Sequence, residues 1–273
     1  MGYHSTMYWM EKRAEERGNI GKYYPEAKSV ISLGLNYFTG NPSTESDVGK
    51  ISNYAWGDDY HALIKSRLYQ LLGKIKTKFP HINGIACVDT SPIMEKDWAQ
   101  RAGIGWIGKH TNLITRDYGS WIFLGELLLD VKLEYDTPFE DDLCGTCTAC
   151  LDACPTNAFP EPYVLDASKC ISYLTIEHRG DLPTELEDKL SGWIYGCDIC
   201  QEVCPWNITF SQFSNENSFQ PRENLKERPI RQWEDLTEEE YRRLFKKSTI
   251  KRTKYAGLKR NIVSVRKSFG ESV

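Results

Sequence analysis

Eight of the nine cysteines lie in the span from residue 144 to residue 204, in the spacing of bacterial iron–sulfur proteins. The first run, Cys-x2-Cys-x2-Cys-x3-Cys-Pro, is the bacterial ferredoxin pattern and contains Cys144, Cys147, Cys150 and Cys154. A partial second run contains Cys197, Cys200 and Cys204, and Cys170 lies upstream of it. Since a 4Fe–4S cluster moves one electron at a time, this block predicts a protein that feeds electrons to an acceptor.

The pattern also predicts which cysteine binds which cluster. In two-cluster ferredoxins the fourth cysteine of each run ligates the other cluster. We therefore expect cluster one to be held by Cys144, Cys147, Cys150 and Cys204, and cluster two by Cys154, Cys170, Cys197 and Cys200. Zinc and disulfides are the alternatives. Structural zinc favours two separated ligand pairs, and disulfides need an oxidising compartment, so two clusters are the better interpretation.

The composition is that of a globular protein with an uneven distribution of charge. Hydrophobic residues make up 40% of the chain, and no apolar run approaches the ~20 residues of a membrane span. The first residues do not resemble a signal peptide, so we expect a cytoplasmic protein with no membrane partner. From Arg242 to Lys267 there are eleven Lys or Arg and no acidic residue. Because the net charge of the whole chain is −4, the rest of the chain carries a charge of −15. Such a run is either a solvated helix face or a phosphate-binding surface, and the lack of counter-charge favours the second.

A larger mixed α and β region must position the cysteine block. Apolar runs predict buried strands at 29–37, 82–88 and 121–131, and an apolar stripe predicts a helix at 58–79. Ser91 and Pro92 are expected to begin a helix that Gly103 ends, and Thr237 is expected to begin another. The predicted fold class is α+β, with a mixed α/β domain at 1–135, a ferredoxin-like domain at 136–212 and a helical basic segment at 213–273.

Asp89 is the main candidate for chemistry outside the cysteine block. It follows a predicted strand, where α/β sheets place ligands, although a helix N-cap would also explain it. Gly103, Gly105 and Gly108 would allow a large ligand to approach the backbone, but ordinary turns explain them as well. Their match to a dinucleotide-binding pattern is weak because they follow a helix. The isolated histidines His61, His110 and His178 are more often packed or solvated than ligands.

Four segments and the cysteine pattern together resemble the epoxyqueuosine reductase family. The segments are Asp89 to His110, Gly119 to Leu127, Tyr195 to Asn207 and Lys251 to Asn261. The resemblance covers essentially the whole chain, and because family members begin further upstream, the start is expected to be incomplete. It implies an enzyme that reduces the epoxide of epoxyqueuosine at the wobble position of tRNA. The implied cofactors are cobalamin, bound base-off between two domains, and the two 4Fe–4S clusters that reduce it.

The resemblance also implies roles for individual residues. Asp89 matches the family's proposed proton donor, and burial against the corrin and substrate is expected to raise its pKa. Cobalamin contacts are expected from Arg13, Tyr54, Asp89, Ser172, Cys197 and Asp198. Contacts with the tRNA backbone are expected from Lys251, Arg252, Lys254, Lys259 and Arg260. A low-potential electron donor is the other expected partner, and the protein is expected to be a monomer.

Three other classes of protein stay open at this point. A reductive dehalogenase-like enzyme also joins cobalamin to two clusters, but such enzymes usually carry export signals and have no use for a basic segment. A ferredoxin-type electron carrier does not need 135 further residues with an acid at a strand end. An RNA-binding protein with a redox-sensing cluster would retain tRNA without turnover. Corrin absorption would indicate an enzyme, and iron without corrin would indicate an electron carrier. Retention of tRNA without turnover would indicate the RNA-binding protein.

Overall fold

The computed structural model describes residues 2–222 and 225–269 of the chain. Within these ranges there are seven strands, β1 (Ser29–Asn36), β2 (Lys50–Ile51), β3 (Gly84–Cys87), β4 (Trp106–Ile107), β5 (Leu113–Ile114), β6 (Ile122–Leu129) and β7 (Trp193–Tyr195). The first helices are α1 (Ala14–Gly18), α2 (Ile20–Tyr23), α3 (Tyr60–Lys78), α4 (Glu95–Arg101), α5 (Ala149–Asp152) and α6 (Ile171–Ile176). They are followed by α7 (Ile199–Glu202), α8 (Pro205–Phe210), α9 (Ile230–Glu234), α10 (Glu238–Leu244) and α11 (Lys254–Ser268).

The N-terminal half is built on a three-stranded antiparallel sheet in the order β1-β6-β3. The central strand β6 is almost wholly buried, which explains its continuous apolar run. Helix α3 packs on this sheet with Ile64, Leu68 and Leu72 buried. Gly125 allows the close approach, because a Cβ there would lie 2.7 Å from the Ile64 side chain. The strands predicted at 29–37, 82–88 and 121–131 and the helix at 58–79 are thereby confirmed, with ends that differ by a few residues.

The predicted helix start at Ser91 and Pro92 is wrong. Helix α4 begins at Glu95, after a loop that runs from Val88 to Met94. Asp89 has a left-handed backbone with φ of 47°, a conformation that Asp tolerates better than most residues. Tight turns follow, with hydrogen bonds from the Thr90 amide to the Val88 carbonyl and from the Ile93 amide to the Ser91 carbonyl. The loop places Asp89 ahead of the helix, so it is not an N-cap.

The glycines that follow α4 serve internal packing. A Cβ on Gly105 would lie 2.0 Å from the Ile114 carbonyl oxygen, and one on Gly108 would lie 2.5 Å from the Ile114 side chain. Gly103, with φ of 76°, approaches the Thr137 carbonyl. These glycines therefore let β4 lie against β5 and its neighbours. The expectation that they make room for a large ligand is wrong.

A second core joins the cysteine block to the C-terminal helices. Strands β2 and β7 pair in parallel, and Trp193 and Tyr195 of β7 share one buried cluster with Trp233 and Leu258. Helix α10 begins after Thr237, whose side chain accepts a hydrogen bond from the Glu240 amide, as predicted. The predicted boundary at residue 212 separates parts that share this core, and the three-domain division stays a prediction. No helix in the described ranges is both long and apolar enough to cross a bilayer.

Candidate active site

The four cysteines predicted for cluster one line a single cavity of about 130 Å³. Cys150 lies in α5, and Cys204 lies just before α8. Cys144 and Cys147 lie in the loop before α5, where Gly145 has φ of 49° and turns the chain. The Trp106 indole donates a hydrogen bond to the Cys144 sulfur at 3.5 Å. We call this space the cluster-one cavity.

Three of the four cysteines predicted for cluster two line a larger cavity of about 350 Å³. These are Cys170, Cys197 and Cys200, and Cys154 is close enough to act electrostatically on both Cys170 and Cys200. Within residues 2–222 and 225–269, no three His, Cys, Asp or Glu side chains converge on one metal ion. The thiols instead surround the cavities, as ligands of a multi-iron cluster do.

The larger space, which we call the cofactor cavity, also has a broad aromatic wall. Its aromatic side chains are Tyr37, Tyr54, Tyr60, Phe123 and Phe159. Of the predicted cobalamin contacts, Tyr54, Ser172, Cys197 and Asp198 line it. Asp198 is fully buried, and its carboxylate accepts hydrogen bonds from the Ser52 hydroxyl at 2.5 Å and the Asn53 amide at 2.7 Å.

Arg13 lies outside the cofactor cavity. Its guanidinium pairs with Glu16 at 3.2 Å and lies over the Tyr23 ring. Lys96, which sequence reasoning missed, does line the cavity and donates a hydrogen bond to the Thr111 carbonyl at 2.8 Å. A signal for it was available, because Lys96 belongs to the same short segment as Asp89.

Asp89, a predicted cobalamin contact, is not among the residues that line the cofactor cavity, but His61 links it to the cavity wall. The Asp89 carboxylate and His61 Nε2 are 2.9 Å apart, and His61 Nδ1 is 2.6 Å from the Asp59 carboxylate. The imidazole stacks on the Tyr60 ring of the cavity wall at 4.2 Å between centroids. Asp59 is the N-cap of α3, so the start of this helix fixes the histidine. The Asp89 side chain itself is 56% exposed.

This arrangement sets the charges of the two groups. The hydrogen bond with His61 lowers the pKa of Asp89, and burial opposes this effect only in part. Burial also opposes the charge on His61, but the hydrogen bonds with Asp59 and Asp89 outweigh it and raise the pKa of His61 to about 9. The expectation of a raised Asp89 pKa refers to burial against the corrin and substrate, and it stays a prediction. At neutral pH the proton lies on His61, between two carboxylates.

Two neighbouring carboxyl groups, the half-buried Glu95 and the fully buried Glu126, connect the Asp89 loop to β6. Glu95 accepts a hydrogen bond from the Asp89 backbone amide at 2.5 Å. Glu126, in the middle of β6, is fully buried and accepts a hydrogen bond from the Ser32 hydroxyl at 3.2 Å. Burial raises the pKa of Glu126, and the neighbouring Glu95 carboxyl raises it further. The single acid within an otherwise apolar strand was a signal in the sequence that we did not use.

The five basic residues predicted to meet tRNA divide into two groups. Lys251, Arg252 and Lys254 are exposed. Arg252 also binds the Glu177 carboxylate through two hydrogen bonds of 2.8 Å. Lys259 donates to the Glu234 carbonyl, and Arg260 donates to the carbonyls of Leu174, His178 and Gly180. The second group therefore ties α11 to the rest of the protein.

The two sets of thiols and the acid beside an aromatic cavity define an iron–sulfur oxidoreductase. A profile of the 4Fe-4S double cluster binding domain matches residues 143–207. A profile described as Epoxyqueuosine reductase QueG, DUF1730, matches residues 17–90. The chain belongs to the epoxyqueuosine reductase family, so the resemblance seen in the sequence is confirmed.

Curated relatives and solved structures agree with this assignment. The epoxyqueuosine reductase of Cellulophaga algicola is 48% identical over 94% of this chain and 83% of its own length. That of Synechocystis is 46% identical over 96% of this chain and 90% of its own length. An epoxyqueuosine reductase solved with an epoxyqueuosine-modified tRNA-Tyr stem loop matches with a TM-score of 0.86 and 31% identity, covering 94% of this chain and 69% of that one. The Streptococcus thermophilus enzyme matches with a TM-score of 0.85 and 30% identity, covering 97% and 73%.

Proposed function

We propose that this protein reduces epoxyqueuosine in tRNA to queuosine. Its family membership supports this activity, and a relative of 31% identity has been solved with the modified stem loop. The observation that carries the proposal is that the electron-transfer ligands and the proton donor border the same cavity. Thiols of cluster two line the same cavity as Tyr60, on which the Asp89–His61 pair rests. Electrons and a proton can thus be delivered to one place.

Reduction of the epoxide requires both electrons and protons. Removal of an epoxide oxygen to leave a carbon–carbon double bond takes two electrons and two protons, and the oxygen leaves as water. Clusters supply electrons singly. An epoxide oxygen leaves poorly unless it is protonated, so a general acid is required.

The residues of the cofactor cavity fit a large flat cofactor such as cobalamin. Broad aromatic faces and a few polar groups are typical of such sites, and the cavity provides both. Tyr54, Ser172, Cys197 and Asp198 would hold the cofactor. Bound cobalamin would supply a strongly reducing cobalt centre within reach of the electrons of cluster two. Arg13, which lies outside the cavity, has no part in this proposal.

Asp89 and His61 would act as one acid. With Asp89 ionised and His61 protonated, the imidazolium first passes its proton to Asp89, and the protonated Asp89 then gives it to the epoxide oxygen. Water supplies the second proton and reprotonates His61. Asp59 holds the imidazole in place from the other side. In a Bacillus subtilis relative the loop of a catalytic Asp has been seen swung out of the active site. The loop from Val88 to Met94 is the corresponding candidate here, and Glu95 and His61 hold it in the position we describe.

The exposed cations Lys251, Arg252 and Lys254 would bind the tRNA backbone. Arg252 lies near enough to Asp89 for its charge to help lower the Asp89 pKa, after the larger effect of His61. A phosphate bound there would therefore lie beside the acid, as a wobble nucleotide entering the cavity requires. A cytoplasmic location, a monomeric state and a low-potential electron donor remain predictions.

The test is anaerobic reconstitution with iron, sulfide and cobalamin, followed by an assay on tRNA that contains epoxyqueuosine. We expect corrin absorption in the purified protein and conversion to queuosine with a chemical reductant. Iron without corrin binding would support an electron carrier, and tRNA binding without turnover would support a redox-sensing RNA-binding protein. Turnover of organohalides but not of epoxyqueuosine would support the dehalogenase-like alternative, which the comparisons do not favour.

A further inference from the structure

His110 carries a buried donor that the described residues leave without an acceptor. The residue is 3% exposed, and its Nε2 has no hydrogen-bond partner in residues 2–222 and 225–269. The side chain lines the cluster-one cavity and also the cofactor cavity. A buried polar group without a partner is destabilising, so an acceptor from outside the polypeptide is the natural explanation.

The tautomer of His110 follows from its other nitrogen. The Asn112 backbone amide donates a hydrogen bond to Nδ1 at 3.2 Å. Since Nδ1 accepts, the proton of the neutral ring lies on Nε2. The unpartnered atom is therefore an N–H donor, and sulfur atoms of a cluster are acceptors for such a group.

The preceding residue brings a positive charge to the same cavity. Lys109 is 9% exposed, and its ammonium donates to the Gly145 carbonyl at 2.5 Å and to the Cys147 carbonyl at 2.9 Å. Both carbonyls belong to the loop that carries two ligands of cluster one. Lys109 forms no ion pair with a described carboxylate within 4 Å. Its charge is compensated at longer range by Asp142, and otherwise by these carbonyl dipoles and by what the cavity holds.

We propose that His110 and Lys109 together raise the reduction potential of the cluster held by Cys144, Cys147, Cys150 and Cys204. His110 donates a hydrogen bond from Nε2 to a sulfur of that cluster, and Lys109 supplies a positive charge beside it. Both act in the same direction, because reduction adds negative charge to the cluster and its sulfurs. The proposal rests on the two-cluster part of the proposed function.

The surroundings of the other cluster differ in charge. The residue next to its ligand Cys197 is the buried acid Asp198, although Lys96 also lines its cavity and acts electrostatically on Cys200. A cluster one of higher potential would stay reduced while an electron leaves cluster two for the cofactor cavity. It would thus store the second of the two electrons that each epoxide requires.

The test is a redox titration, followed by electron paramagnetic resonance, of the full chain loaded with both clusters and cobalamin. In His110→Leu we expect the ratio of reduced to oxidised cluster one at a fixed potential to fall about tenfold, which is about 59 mV for a one-electron couple. His110→Gln, which keeps an N–H donor at similar reach, should retain most of the parental potential. Lys109→Met should lower the same potential and Lys109→Arg should not. The matched control is His81→Leu, at an exposed histidine far in sequence from the cysteines of both clusters, which should change neither potential.

Two results would overturn the proposal. One is an unchanged cluster-one potential in His110→Leu at parental iron content. The other is a loss of cobalamin affinity in His110→Leu with both potentials unchanged, which would place the Nε2 donor on the cofactor. If His110→Leu cannot hold iron, Lys109→Met decides, and an unchanged potential there contradicts the proposal. Because the titration uses no tRNA, failure to reduce epoxyqueuosine would count against the proposed function and not against this inference.

Discussion

The cysteines around the cofactor cavity and the acid site at its edge are assembled differently. Cys170, Cys197 and Cys200 come from one short block of sequence and lie in partly covered positions. The acid site draws on the start of α3, the loop after β3, the start of α4 and the middle of β6. Its central carboxylate is more than half exposed.

The contrast follows from what the two sites transfer. A cluster needs fixed ligands and a covered position, and its electrons can leave without any ligand moving. A proton donor must reach the substrate oxygen and then be reprotonated from water, so it needs an exposed position. Hydrogen bonds from His61 and Glu95 hold the Asp89 loop without burying it. The predictions below test the two sites separately.

The largest effect is expected from loss of a cluster ligand. Cys170→Ala should reduce the iron content from about eight to about four per chain and abolish turnover, because cluster two borders the cofactor cavity. Cys87→Ala is the matched control, since Cys87 is buried in β3 and lines neither cavity. Iron analysis and electron paramagnetic resonance measure both. Equal losses in the two variants, or stoichiometric zinc in aerobic protein, would contradict the ligand assignment.

The same contrast explains how much could be predicted from the sequence. The cysteine block could be assigned because its ligands are separated by two or three residues, and such spacing is independent of tertiary structure. The sheet strands and α3 could be predicted because their apolar runs are long. The Asp59–His61–Asp89 chain could not, since it joins residues 28 positions apart that meet only after α3 has packed on the sheet.

The wrong prediction for the start of α4 has a local cause. Ser91 and Pro92 have the residue types of a helix start, but the left-handed backbone at Asp89 and the turns after it delay α4 to Glu95. The pKa of Asp89 depends instead on a residue distant in sequence, because the hydrogen bond with His61 lowers it.

The next largest effect is expected from the acid itself. Asp89→Asn keeps the shape and can still accept a hydrogen bond from His61, but it cannot pass on a proton. Turnover should fall by ~10²-fold or more, with cobalamin affinity within a few-fold of the parent. Single-turnover assays and cobalamin titration measure the two quantities. The control is Asp97→Asn, at an exposed residue on α4. Near-parental turnover in Asp89→Asn would mean that another group is the acid.

A smaller, pH-dependent effect is expected from His61. Its pKa is raised from 6.5 to about 9, so its charge stabilises the fold fully below about pH 6.5, and this contribution is lost as the pH rises through about 9. Turnover should fall over the same upper range, because an uncharged imidazole cannot return a proton to Asp89. His61→Gln should lower turnover about tenfold at neutral pH, less than loss of the acid itself. It should also abolish the fall in turnover at high pH, which is the alkaline limb of the pH profile.

The neighbours of His61 offer a sharper test of the same limb. Asp59 and Asp89 contact the imidazole, Tyr60 stacks on it, and Lys251 and Arg252 act on the two carboxylates from the C-terminal segment. Asp59→Asn removes one negative charge and should shift the limb to lower pH. A limb that persists unchanged in both His61→Gln and Asp59→Asn would belong to another group, with Lys96 of the cavity wall as the first candidate.

The smallest effect on the chemical step is expected from the exposed cations beside the acid, because their replacement should change only tRNA binding. Replacing Lys251, Arg252 and Lys254 by Glu should weaken tRNA affinity at least tenfold and reduce the salt slope of binding by about two units, at ~0.7 per lost phosphate contact. Iron content and cobalamin affinity should not change, because these side chains line neither cavity. The measurement is a tRNA titration at two or more salt concentrations.

The control for this triple variant makes the same change in charge elsewhere. Lys74, Lys78 and Lys132 are exposed on the far end of α3 and after β6, and their replacement by Glu changes the net charge by the same amount. If tRNA is attracted only by overall charge, the two triple variants should weaken binding equally. If the cations beside Asp89 contact phosphates, only the first should lose the salt slope, since counterions are released only where phosphates are bound. Unchanged affinity and slope in the first variant would mean that tRNA is held by another surface.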